Sequence, residues 1–108
     1  MSFGSAIHQY DVGTSFEVTV TDDAKPEVAI DLSTSTVLEF VFEKEDGTTV
    51  VRTPVYVTDG TDGKLRYVTV VGDLDQVGSW KLQVHYVLAS GVDRRADVST
   101  FRVKENLA

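Results

Sequence analysis

The 108-residue sequence predicts an all-β fold, an antiparallel β-sandwich of about seven strands. Three observations carry the prediction. Apolar and polar residues alternate in short segments, as on a strand with one buried face. Turn signals rich in Gly and Asp separate these segments at intervals of about 8 to 12 residues. No stretch holds its apolar residues at the spacing of an amphipathic helix.

The first strand is expected over Ser15 to Thr21, with Phe16, Val18 and Val20 on one face and Glu17, Thr19 and Thr21 on the other. Asp22 to Pro26 reads as a turn, because proline fixes its own φ and pushes the preceding residue out of helical space. Val28 to Leu32 follows as a short strand. Thr36 to Lys44 sends Leu38, Phe40 and Phe42 inward, while Val37 and Val41 make its outer face unusually apolar. Glu45-Asp46-Gly47-Thr48 is a hairpin turn with Gly47 where positive φ is needed, and Thr49 to Val57 is the return strand. Pro54 cannot donate to a ladder, so that strand is expected to lie at an edge or to bulge there. After a looser turn at Thr58 to Gly63, Leu65 to Val71 places Leu65, Tyr67, Thr69 and Val71 on one face. Trp80 to Leu88 has the clearest alternation and reads as the central strand: Trp80, Leu82, Val84, Tyr86 and Leu88 inward, Lys81, Gln83, His85 and Val87 outward. Arg94 to Val103 closes the sheet with Val98, Phe101 and Val103, and the change of parity between Val98 and Phe101 calls for a β-bulge.

The segment Asp73 to Trp80 makes the sandwich more specific. A loop carrying Asp and Gly before an aromatic at the start of the penultimate strand suits an immunoglobulin-like domain, with Trp80 pinning the crossover between sheets. The expected core is Phe16, Val18, Leu38, Phe40, Trp80, Leu82, Val84 and Phe101. One domain is expected over residues 11–108, preceded by an N-terminal arm over residues 1–10.

With 17 acidic against 10 basic side chains the formal net charge is −7, which repels nucleic-acid phosphates and anionic lipid surfaces. No nucleic-acid partner is expected, and Arg94-Arg95 reads as a solvated hairpin end. No membrane partner is expected either: no apolar run approaches the ~20 residues of a spanning helix, and the start lacks the basic-then-apolar pattern of a signal peptide. Cysteine is absent, so the chain either works in a reducing compartment or is stabilised by packing and assembly.

Catalytic chemistry has no residues to stand on. Cysteine nucleophiles do not exist here, and His8 and His85 are not accompanied by a Gly-x-Ser-x-Gly elbow. The acid pairs Asp22-Asp23, Asp59/Asp62 and Asp73/Asp75 match no calcium-loop spacing and read as turn residues that cap their own backbone. No phosphate loop, zinc spacing or dinucleotide fingerprint occurs. The protein is therefore expected to be no enzyme and to use no metal or cofactor. Recognition through edges, loops or sheet faces is the expected mode.

Two groups of residues are candidates for partner binding. Phe3, Ile7 and Tyr10 are apolar anchors on the N-terminal arm, the alternative being that Ile7 and Tyr10 complete the domain's own first strand. Val37, Val41 and Val87 form an apolar outer face, the alternative being scattered surface residues.

Tyr10 to Phe16, Ile30 to Ser33, Phe42 to Thr49 and Gly72 to Gln83, in that order, together resemble the N-terminal domain of phage baseplate upper proteins. The resemblance runs from about Tyr10 to Val103 and implies an immunoglobulin-like virion module, made in a bacterial cytoplasm, that binds other phage structural proteins in symmetric homo-oligomeric copies. The sequence carries no helical stalk or receptor-binding region after the sandwich, which departs from that family and points to an adaptor, decoration or cement subunit. The competing expectation is a carbohydrate- or cell-surface-binding module, for which Tyr10, Tyr56 and Phe3 are the available aromatics.

Overall fold

A computed structural model describes residues 7–21 and 28–106. Among them are nine strands and no helix: β1 (Ile7–His8), β2 (Ser15–Thr19), β3 (Ser35–Glu43), β4 (Thr49–Arg52), β5 (Val55–Tyr56), β6 (Lys64–Val68), β7 (Gly78–Leu88), β8 (Asp93–Arg95) and β9 (Ser99–Lys104). They form two sheets. The larger runs β1-β9-β7-β3-β4, with β8 continuing beside β7, and the smaller runs β2-β6-β5. All pairings are antiparallel except β1 with β9, which is parallel.

The two sheets face each other across one apolar core. Phe16, Val18 and Leu65 come from the smaller sheet, and Phe40, Phe42, Trp80, Leu82, Val84, Phe101 and Val103 from the larger. Phe16 joins the layers, its ring 4.7 Å from Phe101 and 5.5 Å from Phe42 between centroids, within the range of favourable aromatic pairs. Of the expected core residues only Leu38 stays partly exposed, packed against the margin of the cluster. Trp80 is buried at the start of β7, next to Phe101, and its indole N–H donates to the carbonyl of Gln76 at 3.1 Å.

Four expectations are corrected. Thr49 to Val57 is not one strand: β4 pairs with β3, whereas β5 pairs with β6 in the other sheet, so the chain changes sheets at Thr53-Pro54. A buried proline that cannot donate to a ladder stands where both ladders are given up. Val28 to Leu32 makes a single bridge, Ala29 to Thr21, rather than a strand; Leu32 still enters the core, its amide bonded to the Gly60 carbonyl. Val71 is 85% exposed because β6 ends at Val68 and the backbone turns, with the Asp73 amide donating to the Val70 carbonyl. Val98 is 49% exposed because of the bulge: Ala96, Asp97 and Val98 lie opposite only Gln83 and Val84 of β7. The extra residue flips parity, so Ser99, Phe101 and Val103 face the core.

At two of the turns the need for glycine is explicit. Gly47 has φ +85° in the β3–β4 hairpin, where Asp46 caps the Thr48 amide at 2.9 Å. Gly63 has φ +70° and its carbonyl accepts from the Val20 amide; a Cβ there would lie 2.5 Å from the Val20 carbonyl oxygen and 2.9 Å from that of Ile30. Only glycine lets these two backbones approach so closely.

The expected Asp22 to Pro26 turn lies outside the described residues. The described end of the expected N-terminal arm belongs to the domain: Ile7 pairs with Val103 and His8 with Lys104. Ile7 and Tyr10 do not extend the strand at Ser15–Thr19: Ile7 pairs in parallel with the last strand, and Tyr10 lies in a turn.

Candidate functional site

The outer face of the larger sheet gathers the candidate partner-binding residues. Register puts Val37 directly across from Val87, and Val41 across from Val51 on one side and Gln83 on the other. Side chains on one face alternate along each strand, so Val37, Glu39 and Val41 of β3 share this surface with Val87, His85 and Gln83 of β7. Val37 is 36% and Val51 47% exposed; Val41 and Val87 are half-buried. Val51 was not singled out from sequence: its neighbour Val50 is equally apolar, and only the register with Val41 places Val51 on this face.

A charged row crosses this face between the valine pairs. His85 Nδ1 lies 2.7 Å from Glu39 Oε1, and Nε2 lies 2.6 Å from Asp93 Oδ1. Hydrogen bonds donated by the ring to Glu39 and then to Asp93 raise the imidazole pKa above its ordinary value, against the opposing effect of burial. Gln83 donates to the Ala96 carbonyl at 3.0 Å and so ties the bulge to β7. Each ring nitrogen thus has a carboxylate partner.

The remaining sequence candidates are dispersed. Ile7 is a core residue, 2% exposed, and offers no side chain to a partner. Tyr10 is exposed, has φ +69°, and donates its amide to the Leu74 carbonyl at 2.7 Å. Phe3 lies outside the described residues. Tyr56 is half-buried, its hydroxyl donating to the Leu32 carbonyl and meeting Ser35 Oγ, each at 2.8 Å. Beside it, where the chain changes sheets, an open groove of about 300 Å³ is lined by Ser35, Leu38, Thr53, Pro54, Val55 and Tyr56, together with Thr36. That lining holds hydroxyls and apolar groups and no acid or base.

The aspartates act on their own chain. Asp59 accepts from the Thr61 amide and hydroxyl, Asp62 from the Lys64 amide and the Thr58 hydroxyl, and Asp75 from Lys44 at 2.8 Å. Lys44 also sits 5.7 Å from the centre of the Trp80 ring, a cation over an aromatic face. Asp73 is the most connected. It accepts from the Tyr67 hydroxyl at 2.5 Å, the Val70 amide at 2.9 Å, and Arg52 Nε and Nη2 at 3.1 and 3.0 Å, linking β4, β6 and the β6–β7 loop. Among the described residues no group of three or more His, Asp or Glu converges as a metal site. Thermal unfolding is expected to be the same with and without excess chelator. A loss of Tm in chelator, recovered by calcium, would return these acids to a ligand role.

No protein-family model and no curated protein matches the chain.

Proposed function

We propose that the chain is an immunoglobulin-like sandwich serving as a non-enzymatic structural subunit of a tailed-phage virion, an adaptor or decoration domain that docks on other tail, baseplate or capsid proteins. The observation that carries the docking reading is the outer face of the larger sheet, where Val37 meets Val87 and Val41 meets Val51 on neighbouring strands. Two apolar pairs flanking a charged row on a sheet face suit a partner surface of mixed character, and a cysteine-free domain gains stability when such a face is covered. Strand order supports the immunoglobulin-like part. The orders β2-β6-β5 and β9-β7-β3-β4 correspond to B-E-D and G-F-C-C′ of that arrangement. The virion part rests on the resemblance of Tyr10 to Phe16, Ile30 to Ser33, Phe42 to Thr49 and Gly72 to Gln83 to the baseplate family.

Gradient-purified tailed particles from the strain that encodes the chain are expected to contain it in a fixed copy number by quantitative mass spectrometry. Particles devoid of it would remove the virion reading. A Val37→Lys/Val87→Lys variant whose urea midpoint matches the unmodified chain is expected to be incorporated on the order of tenfold less. Normal incorporation of that folded variant would take docking away from this face.

A further inference from the structure

We propose that His85 is a pH-dependent lock that fastens the β8 edge and β3 to the central strand β7. Cross-strand register sets the geometry: Glu39 of β3 and Arg95 of β8 lie on either side of His85, and Asp93 lies across from Val87. The ring is largely covered and bridges the two acids, with Glu39 2.7 Å from Nδ1 and Asp93 2.6 Å from Nε2. An ionised carboxylate only accepts hydrogen bonds, and a neutral imidazole has one N–H. Both contacts are satisfied together only by the doubly protonated ring. When the proton leaves to solvent, one carboxylate is left against a ring lone pair, and that contact opens.

The charged groups facing the ring are Glu39 from β3 and Asp93 and Arg95 from β8; on β7 itself the nearest is Lys81, engaged with Glu43 at 3.9 Å. Two anions at hydrogen-bond distance outweigh one cation across the ladder, which agrees with the upward displacement of the His85 pKa. Because the folded-state pKa is raised, the stabilisation is complete below the unfolded value of about 6.5 and is lost as pH rises through the higher folded value. The β8 side of the lock is the part free to respond. Asp93–Arg95 is a three-residue strand, exposed at every position, whose ladder partners are all on β7. Rising pH therefore removes one positive charge from the outer face and releases this edge, with the β7–β8 turn at Gly91 as its pivot.

The test is an NMR titration of the intact chain from about pH 5.5 to about pH 9, with His85 assigned by the loss of its ring signals in His85→Gln. The His85 midpoint is expected above that of free histidine, Glu39→Gln and Asp93→Asn each to lower it, and the Asp93 to Arg95 amide shifts to follow the same midpoint. The urea midpoint of the unmodified chain is expected to fall across that pH interval, and that of His85→Gln to lose this step. A His85 midpoint at or below the free value, or one that neither carboxylate variant moves, overturns the lock. So do β8 amides that do not respond at that midpoint.

Discussion

Trp80→Ala is expected to lower unfolding stability by about 3–5 kcal/mol, the range for removing a large aromatic from a packed core. The indole is 2% exposed, lies 5.7 Å from the Phe101 ring and carries the Lys44 ammonium over its face. Removing it opens a void next to Phe101 and leaves the Gln76 carbonyl without its donor. Small domains have total stabilities of about 5–15 kcal/mol, so this one substitution consumes a large part of the margin. Urea denaturation followed by far-ultraviolet circular dichroism measures it. Trp80→Phe, which keeps a ring against Phe101 but loses the indole N–H, is expected to cost less than half as much. A loss under about 1 kcal/mol for Trp80→Ala would mean that the ring is not a core element.

Asp73→Ala is expected to cost about 2–4 kcal/mol, because one deletion strips partners from Arg52, Tyr67 and the Val70 amide together. The same cluster sets the acid limb of stability. Burial disfavours the charged form of Asp73, but hydrogen bonds from Tyr67, the Val70 amide and Arg52 outweigh it and hold the carboxyl below its usual pKa. A depressed folded-state pKa stabilises above the unfolded value of about 3.9, and that contribution is lost as pH falls through the folded value. Asp73→Asn is therefore expected to be destabilised at neutral pH and to show a shallower decline in urea midpoint below about pH 4. An acid limb identical to that of the unmodified chain would assign the decline to other carboxylates.

How much of this was legible in the sequence depends on whether a feature is local. The central strand could be read because its apolar positions from Trp80 to Tyr86 alternate without exception, and the β3–β4 hairpin because Asp46-Gly47 encodes its own turn. Parity misled where it was carried past a strand's end, as at Val71, or applied through an irregularity without placing the extra residue, as at Val98. Pro54 announced an interruption, but periodicity carries no information about which sheet a strand joins. Ile7 sits in a two-residue strand, too short to show any period. The outer-face valines Val37, Val41 and Val87 were visible as a pattern. The groups that carry chemistry were not, because they depend on register between distant segments: Glu39 is 46 residues from His85, and Asp73 is 21 from Arg52.

The parallel contact of Ile7 and His8 with Val103 and Lys104 has a kinetic consequence. It closes a loop containing nearly the whole chain, whereas β3 and β4 meet across a tight turn. Loop-closure entropy grows with length, so the β1–β9 ladder gains little until the strands between its ends are already in place. Assembly then resembles the closing of a clasp. The β3–β4 and β7–β8 hairpins are expected to form early, pairing of β2 with β6 and burial of Phe16 to commit the two layers to each other, and Ile7 to enter last. Sandwiches dominated by such distant pairings fold in about milliseconds to seconds, slowly for their size. With that order of assembly the β9 edge next to Val103 is the last to be covered, and β1 then serves the folded chain as the guard of an otherwise unpaired sheet edge.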